Sequence, residues 1–177
     1  MTCLDRPPSL CPESPNNADA IEALLDHAFG PARFTKVSER VRERALARRD
    51  LSFCAWQQDR LVGCVRQSLI KVGQSEAIFL GPLAVEPDQQ RFGTGSALVQ
   101  AACRAADGAG HSAILLVGDE PYFGRFGFSA ASTSGVILPG PVDPRRVLAR
   151  SMTGVRLIGR VIAPDATAPV EMRTLRP

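Results

Sequence analysis

The chain has 177 residues, 45% apolar and 22% charged, with a net charge of +3. That length builds one compact domain with its own core and is short for two. So small a charge gives no electrostatic case for nucleic acid, and no stretch is long and apolar enough to span a membrane.

Residues 1–15 read as an N-terminal segment rich in Pro, Ser and Cys, with a candidate short strand around Leu10. They lack the basic start and apolar core of a signal peptide, so a cytoplasmic location is expected. The five cysteines (Cys3, Cys11, Cys54, Cys64, Cys103) show no C-x-x-C spacing, and neither a zinc nor a disulfide framework is readable. Asn16 or Asn17 caps a first helix, in which Ile21, Leu24, Leu25 and Ala28 share one face until Gly30-Pro31 ends it. A second helix is expected over "SERVRERALARRD", with Ser38 as cap and Val41, Ala45 and Leu46 inward. Its arginines at 40, 44 and 48 recur every four residues, interleaved with Glu39 and Glu43. They read as a solvated face with ion pairs or as a patch attracting an acidic acceptor or a phosphate.

Two β-like runs follow, joined by the polar Gln57-Gln58-Asp59-Arg60 turn into a hairpin. A third strand runs from Ala77 to Val85, interrupted by Gly81-Pro82, where a bulge or splay is expected because proline cannot donate to a ladder. A small-residue helix spans Gly93 to Ala109, "SAILLVGD" is a buried strand, and "EPYFGRFGF" is a short helix running into a turn. "RRVLARSM" and "VRLIGRVIA" are further strand candidates, and residues 164–177 read as a tail. His27 and His111 are expected at the surface or at helix ends. The order of elements gives a single α+β domain over residues 16–163, without the regular alternation of a doubly wound sheet.

The passage from Leu83 to Ala102, "LAVEPDQQRFGTGSALVQAA", carries the chemistry. A strand feeds through a tight loop into a helix whose first N–H groups lack intrahelical partners and whose dipole favours an anion. Gly93 and Gly95 let phosphate oxygens approach without a Cβ in the way. No acidic side chain lies between Gln89 and Ala106, while Arg91, Thr94 and Ser96 offer donors. A Walker A loop is excluded by the missing lysine. A Rossmann fingerprint is excluded by Leu98 at its third glycine position and by the lack of an early βαβ unit.

Gln90-Arg91-Phe92-Gly93-Thr94-Gly95 matches Gln/Arg-x-x-Gly-x-Gly/Ala in full. With "LGPLAVEP" before it, "SALVQAA" after it and "GDEPYFGRFGF" beyond the next strand, the chain resembles the GNAT superfamily of N-acetyltransferases. The "LGPLAV" and "RFGF" pieces look most like a bacterial branch of predicted acetyltransferases. The likeness runs from about Asn16 to Phe128.

The resemblance implies a mixed, mostly antiparallel sheet flanked by helices and splayed at the acetyl-CoA strand. It places the pyrophosphate on the loop amides of Arg91, Phe92, Gly93, Thr94, Gly95 and Ser96, the pantetheine arm along backbone groups of Leu83, Ala84 and Val85, and Gln90 and Phe123 also at the cofactor. It implies acyl transfer from acetyl-CoA to a primary amine of a small molecule or peptide, with the carbonyl polarised by the N–H of Val85 or its neighbour and with no metal. The family's tyrosine acid falls on Phe123, which cannot donate. Tyr122, the chain's single tyrosine, stands one residue earlier, about 100° around a helix. Asp119 is the candidate base; Glu76 and Glu120 also flank the strands, and Asp119 also suits a helix cap. The acceptor side falls on Arg33, Phe34 and Thr35. The run from Val155 to Ala163 is a candidate homodimer strand. The rival reading is a coenzyme A-binding sensor or regulatory module without turnover, with a nucleotide-dependent enzyme on the same loop behind it.

Overall fold

The computed structural model describes residues 7–164; most of the expected tail lies outside them. In chain order, β1 (Ser9–Pro12) leads to α1 (Ala18–Phe29) and α2 (Val37–Arg42), then to the two-residue β2 (Leu46–Ala47). Next come β3 (Phe53–Gln57), β4 (Arg60–Val72) and β5 (Ser75–Val85). The second half comprises α3 (Thr94–Gly108), β6 (Ala113–Val117), α4 (Glu120–Phe123), β7 (Gly135–Ile137), β8 (Val147–Ser151) and β9 (Ile158–Ile162). The principal sheet order is β1-β3-β4-β5-β6-β8, antiparallel except at β5–β6, so the expected α+β class holds.

β4 is the spine of this sheet. It is apolar along most of its length because both of its faces are covered. On one side α1 buries Ile21, Leu24 and Leu25 against Cys54, Leu61 and Cys64. On the other, α3 buries Leu98, Val99, Ala102 and Ala106 against Ala55, Val62 and Val65. Leu61 and Cys64 share a face although three residues apart. The register shifts between Ala55 and Trp56, which leaves Val62 as an extra residue on β4.

The third expected strand is real, and Gly81-Pro82 has the consequence its composition suggested. Val65 pairs with Leu83 and Gln67 with Leu80, so two residues of β5 face the single Arg66 of β4. On its other edge β5 pairs with β6 only through Ile78↔Ile114 and Phe79↔Leu115. Beyond Phe79 the two strands part, and β6 continues against β8 through Leu116↔Leu148 and Val117↔Val147.

Two expectations are corrected. The second helix stops at Arg42, and Leu46 and Ala47 turn away to pair with Leu69 and Ser68 of β4. Arg44 and Arg48 therefore do not continue a helical face with Arg40; Arg48 instead holds Asp50 at 2.7 Å and contacts His111 at 2.9 Å. The candidate dimer strand pairs inside the chain, with Lys71 and Val72 of β4 on one side and with β7 in parallel on the other. The candidate strand around Leu10 is present as β1 and joins the sheet, with Cys11 opposite Cys54.

Leu98 is fully buried and packs over Gly63, whose missing Cβ would come within 2.9 Å of the Leu98 Cδ1 atom. Leu98→Ala is expected to cost about 3 kcal/mol. Urea titration should show this as a lower midpoint with the slope unchanged.

Candidate functional site

The parting of β5 from β6 opens the molecule between two concavities. One, of about 800 Å³, lies at the start of α3 and is lined by Gln90, Arg91, Gly93, Gly95 and Ser96 together with Tyr122 and Arg125. The other, of about 850 Å³, runs from Leu80–Leu83 and Leu116–Asp119 to the segment between α1 and α2. Leu83, Gln90 and Tyr122 line both. They form the seam where an extended ligand would pass from one to the other.

The loop is built by a tight 3-10 turn over Pro87–Phe92, ended by Gly93 with a left-handed φ of +74°. The Gln89 side chain is buried and reaches Gln57 at 3.0 Å, which fixes the turn from below. Gln90 folds back onto the Val85 carbonyl at 3.3 Å. The two glycines are required for different reasons. Around Gly93 there is open space, and its backbone conformation is the constraint. Gly95 has an ordinary φ, but a Cβ there would lie 2.8 Å from the Tyr122 hydroxyl. These features fit a phosphate group: α3 has no acid in its first turn, and a small-residue mouth leaves its amides accessible.

Among the residues expected here, Leu83, Val85, Gln90, Arg91, Gly93, Gly95 and Ser96 line the concavity at α3. Four do not. Phe123 lines only the larger cleft. Ala84 is buried towards α1, and Phe92 is 63% exposed. Thr94 is buried beneath the loop, with Oγ1 unpartnered. Arg125 is a lining residue the sequence reasoning missed; three positions after Tyr122, it was marked only by that spacing.

The family model for the acetyltransferase (GNAT) family matches residues 18–128. The chain belongs to the GNAT family. Its fold is similar to that of the GNAT family N-acetyltransferase YhbS from Escherichia coli in complex with CoA, at TM-score 0.71 and 23% identity over 88% of each chain. It is similar to a GNAT family acetyltransferase from Brucella melitensis in complex with acetyl-CoA, at TM-score 0.68 and 24% identity, covering 91% of this chain and 98% of that one. Arabidopsis thaliana Naa50, in complex with the bisubstrate analogue CoA-Ac-MVNAL, gives 0.58 and 17% identity over 82% and 99%. No curated protein sequence matches the chain.

Within this GNAT fold, α4 brings the aromatic residues to the seam. Phe123 lies flat on Gly118, where a Cβ would come within 2.4 Å of its ring, and it makes edge contacts with Tyr122 and Phe128. At Phe123, the position expected for the family's tyrosine, the ring carries no hydroxyl. The Tyr122 hydroxyl stands at the Gly95 end of the seam. Asp119 occupies the cap position of α4, but its side chain does not cap; it is exposed and pairs with Arg146 at 3.1 Å.

The far wall of the larger cleft is cationic and tightly braced. Arg33, its side chain only 7% exposed, donates to Glu22 at 2.7 Å, and its Nε lies 2.9 Å from Asp26 without hydrogen-bond geometry. Its guanidinium also covers the Phe34 ring at 4.4 Å. Burial tends to raise the Glu22 carboxyl, but hydrogen bonds from Arg33 and Arg66 outweigh that and hold it low. Arg42 pairs with Glu39; burial, with Arg66 and Arg33 nearby, pulls its pKa down to about 10. His27 lies outside the cleft, 3.0 Å from Glu86. Among the described residues no group of His, Cys, Asp and Glu is arranged to hold a metal ion.

The two glycines separate experimentally. Gly93→Ala is expected to cost about 1 kcal/mol through its positive φ, with acetyl-CoA affinity changed less than threefold. Gly95→Val is expected to keep the melting temperature while displacing the Tyr122 hydroxyl and weakening acetyl-CoA at least tenfold. Calorimetric titration beside thermal melting checks both.

Proposed function

We propose that this protein transfers an acetyl group from acetyl-CoA directly to a primary amine. The observation that carries the proposal is the continuous path from the α3 amides, along the unpaired edge of Leu80–Val85, to the cleft beside α2. Ligands of the similar structures support it: CoA, acetyl-CoA and a peptide-bearing bisubstrate analogue. Acetyl-CoA supplies the activated thioester.

The chain's own groups divide the remaining work. The amides of Gly93, Gly95 and Ser96 receive the diphosphate, and backbone groups at Leu83 and Val85 on the parted edge take the pantetheine amides as an added strand. A β5 N–H further along that edge, towards the cleft, polarises the thioester carbonyl. Asp119, at the mouth of the acceptor cleft, accepts the ammonium proton through water, and the Tyr122 phenol returns a proton to the sulfur. The acceptor is a small-molecule or peptide amine entering beside Arg33, Thr35 and Lys36.

The expected outcome is turnover of acetyl-CoA with at least one member of a panel of amines, amino acids and peptides. Tyr122→Phe is expected to lower kcat about 100-fold, with acetyl-CoA affinity within threefold of wild type. Unchanged kcat with weakened binding would move the phenol from proton delivery to phosphate contact. One observation favours a second reading, a coenzyme A-binding module: Phe123 fills the tyrosine position and leaves the Tyr122 hydroxyl at the phosphate end. Tight acetyl-CoA binding with no turnover across the panel would establish that reading in place of the enzyme.

A further inference from the structure

Arg125 is an exposed cation held more firmly than exposure alone would allow. Its Nε donates to the Tyr122 carbonyl at 3.1 Å, and its Nη2 donates to the Ser96 hydroxyl at 3.3 Å. The guanidinium lies 4.6 Å from the Tyr122 ring centre and 5.3 Å from that of Phe126. Two rings and two hydrogen bonds thus fix its place against the first turn of α3, between α4 and the glycine loop. Several arginines elsewhere in the fold are placed by carboxylates, among them Arg33, Arg42, Arg48, Arg60, Arg66, Arg146 and Arg150. Among the described residues Arg125 has no carboxylate within ion-pair distance, although it lines the same concavity as Gly93 and Gly95.

We propose that Arg125 grips the diphosphate of coenzyme A from the side opposite the loop amides, and so sets the affinity and phosphate selectivity of the donor site. The inference rests on the acetyl-CoA reading of that site. The planar fork is suited to the task. With one edge occupied by Ser96 and the Tyr122 carbonyl, remaining N–H groups are free to pair with phosphate oxygens. Stacking on Tyr122 removes much of the rotamer freedom that an exposed arginine would otherwise lose on binding. The Tyr122 phenol is not needed for this, because the ring face alone holds the guanidinium. Gly95 is shared by both functions, since its bare Cα leaves room between Ser96, Tyr122 and the ligand.

Calorimetric titration with coenzyme A and with dephospho-coenzyme A, at low and at physiological salt, tests the assignment. The diphosphate is common to both compounds and the 3′-phosphate belongs to the first alone. Arg125→Gln is expected to weaken both about tenfold at low salt, to flatten the salt dependence of binding, and to leave the ligand-free melting temperature unchanged. Arg125→Lys is expected to recover the salt dependence and part of the affinity. A loss confined to coenzyme A would assign Arg125 to the 3′-phosphate and overturn the proposal. Equal affinities of wild type and Arg125→Gln would overturn it too. So would weaker binding with an unchanged salt dependence and a lower melting temperature, the mark of a strut between α4 and α3. Failure of the wild type to bind either compound would instead bring down the donor-site reading beneath it.

Discussion

The structure turns on one place where a sheet declines to close. β5 follows β4 from Ser75 to Val85 but keeps β6 only as far as Phe79. Two features set the break. The pair Gly81-Pro82 occupies two positions where β4 spends one, at Arg66, and Pro82 has no N–H to offer a neighbour. Meanwhile β6 is held by five register pairs to β8, so it cannot follow β5 outward. Buried backbone groups are expensive to leave unsatisfied, and an edge opened in this way calls for an extended, amide-bearing ligand.

Arg66 links this break to the far wall of the larger cleft. It reaches Glu13 just after β1 at 3.1 Å and Glu22 on α1 at 2.8 Å, while Glu22 also receives Arg33. A network of this kind adds little net stability, because desolvation offsets much of the attraction. Its contribution is positional. It ties the strand with the bulge, the helix above it and the segment leading to α2 into one unit, so the far wall of the larger cleft is held in place relative to the gap.

At the other end of the path, the glycine loop and α4 meet through side chains rather than through any regular element. Tyr122 closes over Gly95, Arg125 reaches Ser96, and Phe123 lies on Gly118. Each contact requires a residue with little or no side chain opposite a large one. The donor concavity is therefore a joint between two segments nearly thirty residues apart in sequence, and its geometry depends on how α4 lies across α3.

The sequence by itself determined the strand–loop–helix from Ala77 to Ala109, the hairpin around Gln57-Gln58-Asp59-Arg60, the buried β6 and the family. In those places the apolar period, the turn residues and the glycine spacing are local signals that agree with one another. Tertiary structure decided the rest. The helical period through Leu46 gave way because pairing with Leu69 and Ser68 of β4 outweighs a weak propensity. The three-residue β7 exists because β9 lies alongside it, and no local pattern marks so short a strand. The side chains of Phe92 and Thr94 lie outside the concavity although the motif includes both, because a motif gives spacing but not which way each side chain turns. Arg125 was hidden for the same reason: its significance lies in Ser96, Tyr122 and an absent carboxylate, and proximity of that kind is created by folding.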